Sequence, residues 1–168
     1  MRSFFNWLKS IFSPKPAKAE APAPYETERS DWPWMEIAKQ EIGVEEIEGP
    51  SDNQRILEYH QATTLKATED LVPWCSSFVS WALEKVGIRS TRDAWARSYL
   101  NWGDRLVTPS YGCVVIFSRG KSSGHVAFYV SAGRTPDTIT VLGGNQSDMV
   151  CYEDYEKSRV LGYRWPKL

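Results

Sequence analysis

Three residues in this sequence have the types and the order of a nucleophile, a base and an orienting group. Cys75 stands in VPWCSSFV, His125 in SSGHVAFYV and Asn145 in LGGNQSD. A cysteine attacks a carbonyl carbon as the thiolate, and it needs a base within hydrogen-bonding reach whose ring is held by a third group. We therefore expect Cys75 to be the nucleophile and His125 the base. Asn145 is expected to accept the second imidazole N–H, with Gln146 as the alternative for that role.

The nucleophile is expected to stand in the first turn of a helix. Apolar residues recur at helical spacing from Phe78 to Val86, and Gly87 ends the pattern. The N–H groups at the start of a helix have no partner within it and favour an anion. We expect the amides of Cys75 and Ser76 to hold the oxyanion that forms during attack.

Helical patterns precede strand patterns along the chain. The helical patterns lie at 31–43, 51–64, 73–87 and 91–103, and that at 51–64 begins with Ser51 in a capping box. Short stretches rich in β-branched and aromatic residues follow at 113–117, 125–130, 138–142 and 160–165. This order predicts an α+β domain whose helices pack on one face of a small antiparallel sheet.

Composition limits the class of partner. Of the 168 residues, 42% are hydrophobic, and the formal net charge is -1. Residues 1–19 contain four basic residues and no acidic one, so the rest of the chain is acidic. An acidic body with no aromatic and basic pattern excludes nucleic acid as the expected partner.

The cysteines do not indicate a disulfide framework or a metal site. Cys75, Cys113 and Cys151 are odd in number and include no C-x-x-C pair, so at least one thiol is free. Together with His125 they would offer a Cys₃His zinc set, but zinc sites usually bring ligand pairs at short spacing. We expect no metal and no other cofactor.

The first thirty residues differ from the rest. Residues 1–12 form a short basic amphipathic pattern that suits docking on a membrane surface or on a partner, and a cleaved secretory signal is the alternative. Residues 13–30 are rich in proline and alanine, as in an extended linker. The folded domain is expected to span 31–168. No apolar run in the sequence approaches the ~20 residues of a membrane span.

The motifs WCSSFVSWAL and SGHVAFYV resemble those of the NlpC-type papain-like cell-wall peptidases, close relatives of the CHAP amidases. The resemblance covers 31–168. Together with NWG, LGGNQSD and RVLGYRWP, these motifs are similar to those of a subgroup found in phage and bacterial genomes. It implies a papain-like fold and a triad of Cys75, His125 and Asn145 that cleaves amide bonds in the stem peptides of peptidoglycan. It places the protein in the bacterial periplasm or cell envelope, or makes it a phage product acting there. Many relatives have aspartate where this chain has Cys113, which puts a role for an acid there in doubt.

Two other functions stay open. The fold also suits a non-catalytic wall-binding or virion module, and the triad suits an enzyme acting on an amide outside the cell wall. Trp74 and Trp102 are candidates for lining a substrate groove, although core packing explains a tryptophan equally well. His60 is expected in the core, because it lies on the apolar stripe of its helix. Cys113 and Cys151 are expected to be buried small residues.

Overall fold

The computed structural model describes residues 31–168. The predicted segments 1–12 and 13–30 lie outside the described residues, and the predicted start of the domain stays a prediction. The helices are α1 (Pro33–Gln40), α2 (Gln54–His60) and α3 (Cys75–Lys85), with a 3₁₀ segment at Ala96–Asn101. The strands are β1 (Asp104–Leu106), β2 (Val114–Ser118), β3 (Gly124–Ala132), β4 (Thr138–Gln146), β5 (Met149–Glu156) and β6 (Val160–Trp165). The predicted α+β class is confirmed.

The central helix is α3, and its serines are bonded inside the protein. The first nine residues of α3 are all buried. Buried hydroxyls are costly without a partner. Ser76 Oγ donates to the Asp93 carbonyl at 2.6 Å, and Ser77 Oγ lies 3.0 Å from His60 Nδ1. His60 is fully buried, so its predicted core position is confirmed.

Two of the predicted helices differ in detail from the structure. Helix α2 is capped by Asn53, whose side chain accepts from the Arg55 N–H at 2.9 Å, and not by Ser51. The fourth predicted helix is only the 3₁₀ segment. No helix between residues 31 and 168 has the length and apolar character needed to cross a bilayer.

The sheet is antiparallel, and its six strands run in the order β1-β6-β2-β3-β4-β5. Only residues 157–159 connect β5 to β6, although β2, β3 and β4 stand between them in the sheet. Four strand spacings in a flat sheet measure about 19 Å, whereas the link spans at most about 14 Å. The sheet must therefore curl. Accordingly the rings of Phe117 on β2 and Tyr155 on β5 lie 4.7 Å apart.

The curled sheet has two apolar faces. Its outer face packs on the helices and includes Val126, Phe128 and Leu142. Its inner face encloses a second core that includes Val115, Phe117, Ala127, Val141 and Tyr155. Because side chains alternate along a strand, neighbouring residues of β3 pack in different cores.

Gly144 lies where β4 approaches the start of α3 most closely. A Cβ added at Gly144 would stand 2.4 Å from Trp74 Cζ3 and 2.7 Å from Phe78 Cβ, and both side chains are fully buried. We expect Gly144→Ala to lower the free energy of unfolding by about 1–3 kcal/mol, because the rigid indole must move. Urea unfolding measures this loss.

Gly162 on β6 offers the matched control. A Cβ there meets only Leu100 Cδ2, at the ordinary contact distance of 3.4 Å. Gly162→Ala should shift the urea midpoint little, and equal losses in the two variants would contradict the close approach at Gly144.

Candidate active site

Cys75 is the first residue of α3, as the sequence predicts, and its side chain is almost enclosed, at 5% exposure. The helix begins its hydrogen-bond ladder with Phe78 N–H, which donates to the Trp74 carbonyl at 2.9 Å. The first-turn N–H groups have no helical acceptor. The backbone amides of Val126, Ser76 and Cys75 itself are close enough to the Cys75 sulfur to lower the pKa of the thiol.

Burial dominates the acidity of Cys75. Burial raises the pKa of the Cys75 thiol, while the Val126 amide and the charge of Arg119 partly offset the increase. Desolvation disfavours a thiolate. The resting side chain is therefore a neutral thiol.

His125 lies near the start of β3 with its ring fully buried. His125 Nε2 is 2.9 Å from Gln146 Oε1, and Gln146 Nε2 donates to the Cys151 carbonyl at 2.7 Å. The second bond fixes which end of the amide is the oxygen, and an amide oxygen only accepts. His125 Nε2 therefore carries the proton. Nδ1 has the lone pair of a base and lacks a hydrogen-bond partner among residues 31–168.

The surroundings of His125 keep its ring uncharged. Burial lowers the pKa of His125 to about 3, and the positive charges of Arg119 and Arg159 add to that decrease. The bond to Gln146 works in the opposite direction. The buried imidazole is a neutral and weak base.

Cys75 and His125 both lie near the end of β3 at which β3 and β4 are no longer paired. The register of these two strands runs from Phe128↔Leu142 to Ala132↔Ile139, so 124–127 and 143–146 lie beyond its first pair. The Cys75 sulfur faces the Val126 N–H, one residue from His125. The structure therefore brings the predicted nucleophile and base to the same strand end.

The partner of the imidazole differs from the residue expected first. Asn145 Nδ2 donates to Glu46 Oε1 at 2.8 Å, and that oxygen also accepts from Trp74 Nε1 at 2.8 Å. Asn145 thus lies on the side of the helices. The structure places Gln146, the predicted alternative, at His125. The β4–β5 register shifts between Gly143 and Gln146, and this irregularity reverses the sides on which residues 145 and 146 lie.

The helical half of the domain holds the turn before His125. Next to the Ser76 bond to Asp93, Trp95 Nε1 donates to the Ser122 carbonyl at 3.1 Å. Arg97 Nη2 donates to the Gly120 carbonyl at 2.7 Å. The β2–β3 turn is thus fixed relative to the start of α3. Sequence reasoning did not single out Trp95, which is 53% exposed at this margin.

An aromatic ring covers the base. Tyr155 stacks on His125 with 5.1 Å between ring centres and 16° between planes. Phe117 lies 6.2 Å from the imidazole. Sequence reasoning missed Tyr155, because it lies on a strand that was not predicted. Stacking restricts rotation of the imidazole and excludes water from its face.

The two tryptophans expected in a substrate groove lie in different places. Trp74 is fully buried, so it belongs to the core. Trp102 Nε1 donates to the Arg89 carbonyl at 2.8 Å. Arg89 follows the end of α3, whereas Cys75 begins it. The groove expectation is wrong for Trp74, and that for Trp102, which is partly buried, stays a prediction.

The other cysteines do not join Cys75 in a cluster. Cys113 lies in the core enclosed by the sheet, and Cys151 Sγ donates to the Gln146 carbonyl at 3.4 Å. No group of three or more His, Cys, Asp or Glu side chains within 31–168 is arranged to hold a metal ion.

An open cavity of about 930 Å³ lies on the other side of Glu46. Its walls include residues 43–48 and the turn at Ser147 and Asp148. Burial raises the pKa of Glu46, and the nearby charges of Asp148 and Asp70 add to the increase. Glu46 joins this cavity to the residues directly before Cys75 and Gln146.

The buried pair predicts a particular pH dependence of thiol reactivity. Because the pKa of Cys75 is raised and that of His125 is lowered to about 3, the thiol keeps its proton across the neutral range. Alkylation of Cys75 by iodoacetamide should stay slow until the pH rises above the range in which an ordinary thiol ionises. Mass spectrometry of the Cys75 peptide measures the rate. A fast plateau on the acid side would instead reveal a thiolate paired with an imidazolium.

Comparison with known proteins bears on the segment that holds this site. The sequence profile of the CHAP domain matches residues 67–145, and the predicted resemblance to this superfamily is confirmed there. The phage subgroup stays a prediction. No curated protein matches the chain.

The chain is also similar to a crystal structure from Staphylococcus aureus described as similar to a lipoprotein of the NLP/P60 family. The identity is 17%, the TM-score is 0.46, and the match covers 83% of this chain and 44% of that one. This chain therefore spans less than half of that protein.

Proposed function

We propose that the chain hydrolyses an amide bond in peptidoglycan stem peptides, because residues 67–145 match the CHAP domain, a family of cell-wall peptidases and amidases. The observation that carries the proposal is the arrangement around Cys75 and His125. A helix-start thiol near the Val126 amide lies at the end of the strand that carries a buried imidazole, and Gln146 fixes the tautomer of that imidazole. We assign the third position to Gln146 and not to Asn145.

The proposed reaction is acyl transfer to water. The Cys75 sulfur attacks the carbonyl carbon while its proton passes to His125 Nδ1. The oxyanion accepts hydrogen bonds from the amides of Cys75 and Ser76. When the C–N bond breaks, Nδ1 returns the proton to the leaving amine. Nδ1 then takes a proton from water, which hydrolyses the thioester and restores the thiol.

Gln146 acts in each step by keeping the proton on His125 Nε2. With that tautomer, Nδ1 alone exchanges protons with the thiol, the amine and water. Loss of the correct tautomer is costly in enzymes that use this chemistry. Tyr155 supports the same geometry by stacking on the ring.

The polymer must reach a nearly enclosed sulfur. We propose that it approaches along the open cavity beside Glu46. The carboxylate of Glu46 holds the residues that directly precede Cys75 and Gln146, so substrate contacts there act on both.

Mass spectrometry of muropeptides tests the proposed function. Purified cell walls incubated with the full chain should release fragments that have gained one water molecule, with one new amine and one new carboxyl group at the cut. The masses identify the bond. Sedimentation of the protein with walls whose fragment masses stay unchanged would instead favour the non-catalytic wall-binding or virion module.

The proposed substrate also sets the place of action. Peptidoglycan lies outside the cytoplasm, so we propose that the domain acts in the periplasm or cell envelope. The docking role of residues 1–12 stays a prediction.

A further inference from the structure

Two arginines surround the ring that covers His125. Arg119 Nη2 lies 3.4 Å from Tyr155 Oη, and the Arg159 guanidinium carbon lies 5.4 Å from the centre of the Tyr155 ring. Tyr155 itself stacks on the imidazole. Both positive charges are therefore next to the proposed base, and Arg119 also acts on the Cys75 sulfur.

Neither arginine is matched by an acid within 31–168. The ion pairs of this region use Lys39, Arg55, Arg92, Arg134 and Lys167 as their cations. The Arg159 Nε donor goes to the Ser118 carbonyl, a neutral group, at 3.3 Å. Glu153 accepts from Tyr155 Oη at 3.4 Å but makes no ion pair with Arg119 there. Two positive charges at the site are thus available to an anion.

The backbone of Arg119 is held by the protein before any substrate arrives. Its backbone N–H donates to the Ser123 carbonyl at 3.1 Å and closes the β2–β3 turn. Arg97 and Trp95 bind other carbonyls of the same turn. A donor held in place binds a charged group with a smaller entropic cost than a free surface side chain. Arg119 is an exposed residue.

These charges oppose the reaction when the substrate is absent. Proton transfer from Cys75 makes His125 an imidazolium, and nearby positive charges disfavour that form. An anion bound by the arginines would offset their charge at the moment when the imidazolium develops. Binding of such a group is therefore coupled to the chemistry.

We propose that Arg119 and Arg159 form a subsite for a free carboxylate of the substrate peptide, next to the bond that is cut. This inference rests on the proposed function and deepens it. It makes the enzyme selective for stem peptides whose carboxylate near the cut is free over those in which it is a carboxamide.

Paired synthetic stem peptides test the subsite. Each pair differs only in one carboxylate, which is replaced by a carboxamide in the second peptide. The full chain should cleave one carboxylate peptide with a kcat/KM about tenfold above that of its partner, as expected for a close charge pair. Arg119→Gln should bring this ratio close to one. Equal cleavage of every pair by the wild-type chain would overturn the subsite and leave the proposed function standing.

Arg89→Gln provides the matched control. Arg89 is an exposed arginine beyond the far end of α3, so this variant removes one positive charge without changing the site. It should keep the discrimination ratio of the wild-type chain. The same loss of ratio in Arg89→Gln and Arg119→Gln would attribute selectivity to total charge and overturn the subsite.

Alkylation of Cys75 supplies a readout that needs no hydrolysis. Iodoacetate carries a carboxylate and iodoacetamide does not, so the ratio of their rates at Cys75 reports attraction of an anion to the sulfur. Peptide mass mapping separates Cys75 from the other two cysteines. Arg119→Gln should lower this ratio about threefold. If no stem peptide is cleaved, the proposed function fails, and the ratio of alkylation rates alone tests the subsite. A ratio that is the same in Arg119→Gln and in the wild-type chain would overturn the subsite.

Discussion

Replacing Cys75 by serine is expected to lower the rate of wall hydrolysis by at least about 10³-fold, since the nucleophile acts in every step. A serine hydroxyl is far less acidic than a thiol. The pKa of His125 is lowered to about 3, so the imidazole is too weak a base to activate an alcohol. Turbidity loss of purified walls and the mass of released muropeptides measure the effect.

Cys151→Ser is the control for the loss of a thiol. Cys151 Sγ donates to the Gln146 carbonyl, and a serine hydroxyl can donate in the same direction. This variant should retain most of the hydrolytic activity. A Cys75→Ser protein that still releases muropeptides at the wild-type rate would refute the assignment of the nucleophile.

Replacing Gln146 by methionine is expected to lower kcat/KM by about 10²-fold, less than the loss of the nucleophile. Methionine has a similar length, but it neither accepts from His125 Nε2 nor donates to the Cys151 carbonyl. The ring then loses its fixed tautomer. Gln146→Glu restores an acceptor, so it should recover part of the rate and shift the acid limb of the pH profile upward, because a carboxylate favours the imidazolium.

Asn145→Gly is the comparison that separates the two amides. Asn145 has a φ of 56°, which glycine adopts without strain, so the variant removes the side chain and keeps the turn. Its activity should stay within about threefold of the wild-type value, since a surface-side bond to Glu46 contributes only modestly. If Asn145→Gly loses as much activity as Gln146→Met while both proteins keep the unfolding free energy of the wild-type chain, the orienting residue is Asn145 and not Gln146.

The sequence predicted the places of Cys75 and His125 in the fold because short-range patterns determine them. The helical repeat from Phe78 to Val86 and the proline at Pro73 locate the start of α3, and Gly124 precedes a strongly apolar strand. These patterns can be recognised without information on distant residues. The choice between Asn145 and Gln146 requires such information, because it depends on how β4 pairs with β5. In regular alternation residue 145 would share the side of Val141, and the irregularity after Gly143 gives that side to Gln146.

Strand β5 was missed for a related reason. It reads MVCYEDYE, and its three acids obscure the alternation that marks a strand. As an edge strand it has solvent on one side, where charge is tolerated and useful. Missing β5 meant missing Tyr155, and with it the arginines around the imidazole. Trp74 was wrongly expected in a groove, because residue type does not distinguish a buried indole from one that lines a groove.

The strand order affects when the site around Cys75 and His125 can form during synthesis. β6 is the last strand of the described residues, yet it pairs with both β1 and β2 inside the sheet. During synthesis β2 keeps an open edge until residues 160–165 have left the ribosome, because β6 is the strand that pairs with this edge. Cys75 and His125 are thus translated before the sheet that holds the imidazole is complete.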